Sequence, residues 1–264
     1  MGVALFALIA LLASILATAL PALRWSLLTN YSNATDPGTA GYAAAIVGTL
    51  WVVGLTLLFS LPLGVAAGVY LEEYAGRGRI SRILQAGVTN LAGVPSVVFG
   101  LLGLAVFVRV LHLGPVVLAG ALTLTMLVFP YVVITTQEAV RAVPNSIRDA
   151  ALALGSTKWQ AVRRQVLPAA APGLLTGTIL AASRAIGETA PLLVIGALFL
   201  QTFLPYGPDS PFVALPVQIY AYTILPVDSW GGVAAGGMVI LLGMLFAFNG
   251  VAIVVRNRLQ RQRW

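Results

Sequence analysis

Residues 144–168 read Pro-Asn-Ser-Ile-Arg-Asp-Ala-Ala-Leu-Ala-Leu-Gly-Ser-Thr-Lys-Trp-Gln-Ala-Val-Arg-Arg-Gln-Val-Leu-Pro, a polar-studded segment between two long apolar runs. Ser146 and Asp149 have the spacing of a capping box, so a helix is expected to start there, just after Pro144. Ile147, Ala150, Ala151 and Leu154 recur at helical intervals and give it one small, apolar face. Gly155 is expected to end it, because the residue after a helix commonly takes a left-handed backbone that glycine adopts without strain. Thr157 and Gln160 repeat the capping-box pattern. Trp159, Val162 and Val166 share a face, and Pro168 is expected to close this second helix. The segment is predicted as helix, glycine turn, helix, not as a flexible linker. Such a helix either lies on a membrane surface or docks on a partner, where small side chains at Ala150 and Ala151 would admit it to a groove.

The flanking runs set the solvent. Of 264 residues, 59% are hydrophobic and only 9% charged, with a mean hydropathy of +0.95, far more apolar than a water-soluble domain. A helix needs about 20 apolar residues to cross a bilayer. Six stretches qualify, at about 3–23, 44–71, 88–111, 116–136, 173–200 and 232–255. The fold class is therefore all-α, a polytopic membrane protein of about six transmembrane helices. Assigning loops to alternate sides groups Arg77, Arg79, Arg82, Arg141, Arg148, Lys158, Arg163 and Arg164 with Arg256, Arg258, Arg261 and Arg263 of the tail, against Arg24 and Arg109 opposite. Lysine and arginine mark the cytoplasmic side. Both termini are expected in the cytoplasm, with Asp36, Asp209 and Asp228 outside. The chain divides into a first helix and external loop (1–43), a transmembrane domain (44–255) carrying the cytoplasmic loop 137–168, and a basic tail (256–264). Ala17 and Ala19 leave open a second reading of the first span, as a cleavable signal peptide, although no positive segment precedes it. Gly and Pro punctuate the second, third and fifth spans, which are expected to face other helices, while the first and sixth are plainer and more peripheral.

The same composition excludes other classes. With no cysteine and one histidine, His112, there is no thiolate chemistry and no His cluster for a metal. The positive charge falls between apolar runs instead of forming a basic stripe with aromatics, so nucleic acid is not an expected partner. A phosphate-binding loop needs Gly-Lys-Ser/Thr after a spaced glycine. The sole lysine, Lys158, follows Thr157, so any nucleotide hydrolysis belongs to another polypeptide. No nucleophile, base and orienting group stand together, and no catalytic residue or cofactor is expected in this chain.

Arg184 and Glu188 lie four residues apart in the fifth span, hence on one face if the helix is continuous. Intramembrane charges cost several kcal/mol, about 2.5–3.5 on insertion scales, and mark functional sites by default. Either the two neutralise each other and staple neighbouring helices, or Arg184 meets an anion in a watery path while Glu188 steadies the empty guanidinium. A planar, always-charged fork suits an oxyanion. Asn90 and Ser96 flank the Gly93-Val94-Pro95 break and are candidates to line that path. Arg109 and His112 are placed at the outer mouth. Glu72, Glu73 and Glu138, at cytoplasmic helix ends, are expected to be solvated.

Asp149-Ala150-Ala151, then Gly155 after three residues, then Gln165-Val166-Leu167-Pro168 after nine more, resembles the cytoplasmic loop of importer-type ABC permeases. There, Glu-Ala-Ala, Gly and Ile-x-Leu-Pro stand at the same spacings. Asp149 for Glu and Gln165 for Ile are the departures. The resemblance implies a type I importer fold in the inner membrane of a prokaryote, with Asp149, Ala150, Ala151, Leu154 and Gly155 in the helix that couples to an ATPase. Arg184-Ala-Ile-Gly-Glu188-Thr-Ala-Pro191, Leu71-Glu-Glu-Tyr-Ala75, the run Asn90 to Gly103, and Ala214-Leu-Pro-Val-Gln-Ile-Tyr220 are similar to the phosphate-uptake branch, specifically its A-type membrane subunit. That likeness implies a heterodimer with a second homologous permease, two ATP-binding subunits and an extracytoplasmic phosphate-binding protein. A permease for sulfate or molybdate, or an ion-coupled transporter with Glu188 carrying a proton, stays open at this point.

Overall fold

The computed structural model describes residues 2–76, 78–226 and 229–261. Arg77, Asp228 and Arg263, three of the charges used above to orient the chain, lie outside the described residues. Because lipid offers backbone groups no partner, each apolar run closes its hydrogen bonds within itself as helix. The helices are α1 (Gly2–Ala19), α2 (Trp25–Thr29), α3 (Ala43–Val69), α4 (Arg79–Ala92), α5 (Ser96–Gly103), α6 (Val117–Arg141), α7 (Asn145–Ala153), α8 (Lys158–Ala161), α9 (Leu167–Gly187), α10 (Ala190–Val194), α11 (Leu215–Thr223) and α12 (Trp230–Arg261). Wider π-helical turns extend α3 (Tyr70–Tyr74), follow α5 (Leu104–Val110) and join α8 to α9 (Val162–Val166). Among the described residues five helices are long and apolar enough to cross a membrane, and α4 with α5 and its π extension, a pair bent by 101°, brings the number to six when counted as one broken span.

Three expectations need correction. The third span does not run unbroken from 88: helix begins at Arg79, stops at Ala92 and resumes at Ser96, because Pro95 disfavours helical geometry in the residue before it. The second loop helix does not close at Pro168. A π turn ends at Val166 and the helix continues into α9, the wider turn absorbing the place where proline supplies no N–H. The fifth span then stops at Gly187 instead of reaching 200, since Pro191 has no N–H for the carbonyl four residues back.

The chain forms two compact units. The first comprises residues 1–55, 96–123 and 186–247. Its core joins Leu27, Tyr42, Val213, Leu215, Tyr222 and Trp230. Tyr222 stacks on Trp230 at 5.1 Å and meets Tyr42 edge-on at 5.5 Å. Burial pushes both phenols above the ordinary tyrosine pKa. Gln218 donates from Nε2 to the Gly41 carbonyl at 2.8 Å, and Thr49 Oγ1 accepts from the Leu215 amide at 2.8 Å, tying α11 to the start of α3.

The second unit comprises residues 56–95, 124–185 and 248–264, and α6 is its axis. Gly64 and Gly68 of α3, and Gly173 and Gly177 of α9, meet α6 so closely that an added Cβ would fall 2.4–2.7 Å from atoms of Thr135, Thr136, Val132 or Ala139. Two small-xxx-small faces thus bring three backbones together where lipid gives little hydrophobic drive. α6 is 67% buried across its most apolar window, against 6% for α1 and 0% for α12. α1 is peripheral as expected, and α12 is so only beyond its first turns, which enter the core of the first unit, but the fourth span, which carried no glycine signal of comparable density, is the most enclosed of the five. Its packing glycines belong to its neighbours.

Candidate functional site

Two features of the second unit carry chemistry, one in the loop that bears α7 and α8 and one around Arg184. α7 begins at Asn145 with Pro144 preceding it and no side-chain cap. Ser146 and Asp149 therefore sit past the capping register, and the first expected capping box does not form. The second does: the Gln160 amide donates to Thr157 Oγ1 at 3.3 Å, and the Thr157 amide to Gln160 Oε1 at 2.9 Å. Between them Gly155 takes φ +81°. Its amide donates to the Leu152 carbonyl at 2.9 Å and that of Ser156 to Ala151 at 3.1 Å, the paired bonds of a Schellman turn. The small face divides in two. Ala151 is buried and Ile147 half-buried, while Asp149, Ala150 and Leu154 are exposed. Leu154, 88% exposed, offers a large apolar side chain to whatever covers this end of the loop.

Glu73, expected to be solvated, is not. Its side chain is only 7% exposed and pairs with Arg148 of α7 at 2.7 Å. Arg148 also donates to the Val143 carbonyl at 2.6 Å and the Val140 carbonyl at 2.8 Å, at the end of α6. Glu72 accepts two bonds from Arg141, at 2.9 and 2.7 Å. Glu138 is exposed, as expected. Val69, Val140, Val143, Val162, Val166 and Ala170 pack beneath these pairs. An apolar groove of about 770 Å³ opens alongside, walled by Leu61, Val65, Tyr70, Tyr74 and Trp159.

Arg184 is half-buried, its guanidinium 4.2 Å from the centre of the Tyr131 ring. The phenol of Tyr131 donates to the Ala92 carbonyl at 2.8 Å, an acceptor exposed where α4 breaks. One side chain thus repairs the break and carries the arginine. An aromatic face attracts a guanidinium without discharging it. Asn90 lies exposed in the last turn of α4. Gln85 and Gln137 exchange two amide bonds at 3.1 and 2.8 Å, and Ser183 donates to Asn249 at 2.8 Å, so the unit holds polar groups well inside an apolar chain. Tyr131, Gln85 and Gln137 escaped the sequence reading, although a glutamine within a long apolar helix was a usable signal. Glu188 lies beyond the end of α9 and outside the helix bearing Arg184; it and Ser96 belong to the first unit. Arg109 and His112 are exposed, His112 with φ 54°. Among the described residues no cluster of His, Cys, Asp or Glu suits a metal ion.

Up to six apolar spans among the described residues, with a glycine-terminated helix between two of them, have the fold of a type I ABC importer permease. The chain belongs to the family of binding-protein-dependent transport system inner membrane components, which matches residues 60–260, and it is a transport component, not an enzyme. It is 36% identical to the phosphate transport system permease protein PstA of Haemophilus influenzae over 94% of this chain and 86% of that one. It is 31% identical to YqgI, a probable ABC transporter permease protein of Bacillus subtilis, over 92% and 86% of the two chains. Among solved structures it resembles an inward-facing MetNI methionine ABC transporter chain with a TM-score of 0.67 at 19% identity, covering 82% of this chain and 96% of that one.

Proposed function

We propose that this chain is a phosphate-translocating permease subunit of an ATP-driven importer, and that Arg184 meets the anion. The observation that carries this reading is the half-buried Arg184 guanidinium held on the face of Tyr131, beside the broken α4. A planar donor fork in a poorly hydrated setting binds a tetrahedral oxyanion through paired, charge-assisted hydrogen bonds. Asn90, Ser96 and Glu188 are the further path residues, with Glu188 as the carboxylate that keeps the anion from being trapped. The relative named a phosphate transport permease supports phosphate over other oxyanions.

The complex comprises a second homologous permease, two ATP-binding subunits and an extracytoplasmic phosphate-binding protein, in the inner membrane of a prokaryote with both termini of this chain cytoplasmic. Residues 44–255 form the transmembrane domain, and Asp149, Ala150, Ala151, Leu154 and Gly155 the surface toward the ATPase. ATP binding draws the ATPase subunits together and α7 moves with them. The spans then open outward, phosphate enters from the binding protein, and hydrolysis restores the inward state. Competition in proteoliposomes tests the substrate: excess unlabelled phosphate suppresses labelled phosphate uptake, sulfate and molybdate do not, and Arg184→Ala abolishes uptake with the complex intact. Equal competition by sulfate, or full activity of Arg184→Ala, refutes the assignment.

A further inference from the structure

We propose that Glu73 and Arg148 are positioning residues that lock α7, the π turn ending α3 and the end of α6 into one rigid body, so that displacement of α7 reaches both helices without slack. The inference deepens the ATP-driven reading and rests on it. Three elements meet at one guanidinium. Arg148 belongs to α7; its Nε donates to Glu73 Oε1 at 2.8 Å, its Nη1 to the Val143 carbonyl at 2.6 Å, and its Nη2 to the Val140 carbonyl at 2.8 Å. Only a planar five-donor fork spans three acceptors on two elements; an ammonium is a point charge on a flexible stem.

Glu73 gathers the loop from the other side. Its backbone carbonyl accepts from Lys158 Nζ of α8, and Lys158 also lies 5.0 Å from the Tyr74 ring centre. The π turn Tyr70–Tyr74 thereby holds both loop helices, α7 through a side chain and α8 through its backbone. A buried ion pair is weak evidence of stability, and its best-attested use is fixing register. Here the valine cluster beneath already supplies non-directional cohesion, which would let α7 slide; the directional bonds to Glu73, Val140 and Val143 forbid it.

Two conservative variants, Arg148→Lys and Glu73→Gln, test this in the full complex with two readouts. The first is phosphate imported per ATP hydrolysed. Both variants are expected to lower the ratio at least threefold while ATPase turnover per assembled complex stays within twofold of wild type. A merely structural role would reduce the amount of complex and leave the ratio unchanged, which would overturn the proposal. The second readout needs no transport. The chain has no cysteine, so spin labels at Leu63→Cys and Leu152→Cys, both exposed positions, report the α3 to α7 distance alone. One narrow distribution is expected with and without nucleotide in the wild type, and a broadened one in both variants. Narrow distributions in the variants refute the lock. If wild-type complex fails to import phosphate with ATP, the functional reading falls, and the spin-label distances still decide the lock. Should Glu73→Gln fail to assemble, Arg148→Lys decides alone.

Discussion

Gly155 terminates α7 at φ +81°, and an added Cβ there meets no atom within 4 Å. Substitution is therefore a purely conformational perturbation. An L-residue in the left-handed region costs roughly 1–2 kcal/mol, with asparagine the best tolerated after glycine. That corresponds to about a 5–30-fold shift between the closed turn and its opened forms. The affected bonds are the Schellman pair and the Leu154 amide to the Ala150 carbonyl, so opening unravels the end of α7 next to the exposed Leu154. Amide hydrogen exchange on the purified protein reads this directly. Exchange of the amides of residues 152–156 is expected to rise by about that 5–30-fold factor in Gly155→Ala, by less in Gly155→Asn, and by most in Gly155→Val. Transport should fall in the same order, since only the docking-competent fraction couples. Unchanged exchange in Gly155→Ala, or Asn no better than Ala, would refute the reasoning, because the turn would then not depend on backbone handedness.

Gly68→Ala places a Cβ 2.6 Å from the Thr136 side chain and 2.8 Å from the Val133 carbonyl, whereas Gly54→Ala in the same helix meets nothing. Overpacking at the first should cost about 1–3 kcal/mol and lower the melting temperature in detergent, while Gly54→Ala should match wild type or exceed it. Tyr131→Phe removes the bond to the Ala92 carbonyl, worth about 0.5–1.5 kcal/mol of stability, but keeps the ring beneath Arg184. Its apparent KM for phosphate should stay near wild type, while Tyr131→Leu, which also loses a cation–π contact worth about 0.5–2 kcal/mol, should raise KM roughly 2–30-fold; equal KM values for the two variants would contradict that role.

The spans and the helix, turn and helix of the loop were legible because lipid forces local solutions: an apolar run must close its own backbone bonds, and Gly155 or Thr157 acts within a few residues. Errors arose where a local signal met its continuation. Pro168 stops a helix in isolation, yet a π turn beside it carries the helix on. Ser146 and Asp149 have capping spacing, but α7 starts two residues too early to use it. Pro191 ends α9 at Gly187, one residue short of Glu188, a consequence the sequence held but the spacing argument overlooked. Glu73 was read as solvated because its partner is 75 residues distant and only the packing of α3, α6 and α7 brings them together. The same is true of Tyr131 beneath Arg184.

The central claim is that this chain moves phosphate at the expense of ATP hydrolysed elsewhere. The most direct measurement is uptake of labelled phosphate into proteoliposomes holding this chain with its permease and ATPase partners, with binding protein outside and either ATP or an imposed proton gradient as the energy source. Uptake that requires ATP and binding protein, and is indifferent to the gradient, is the expected result. Uptake driven by the gradient without ATP would contradict the account and make Glu188, not Arg184, the residue on which transport turns.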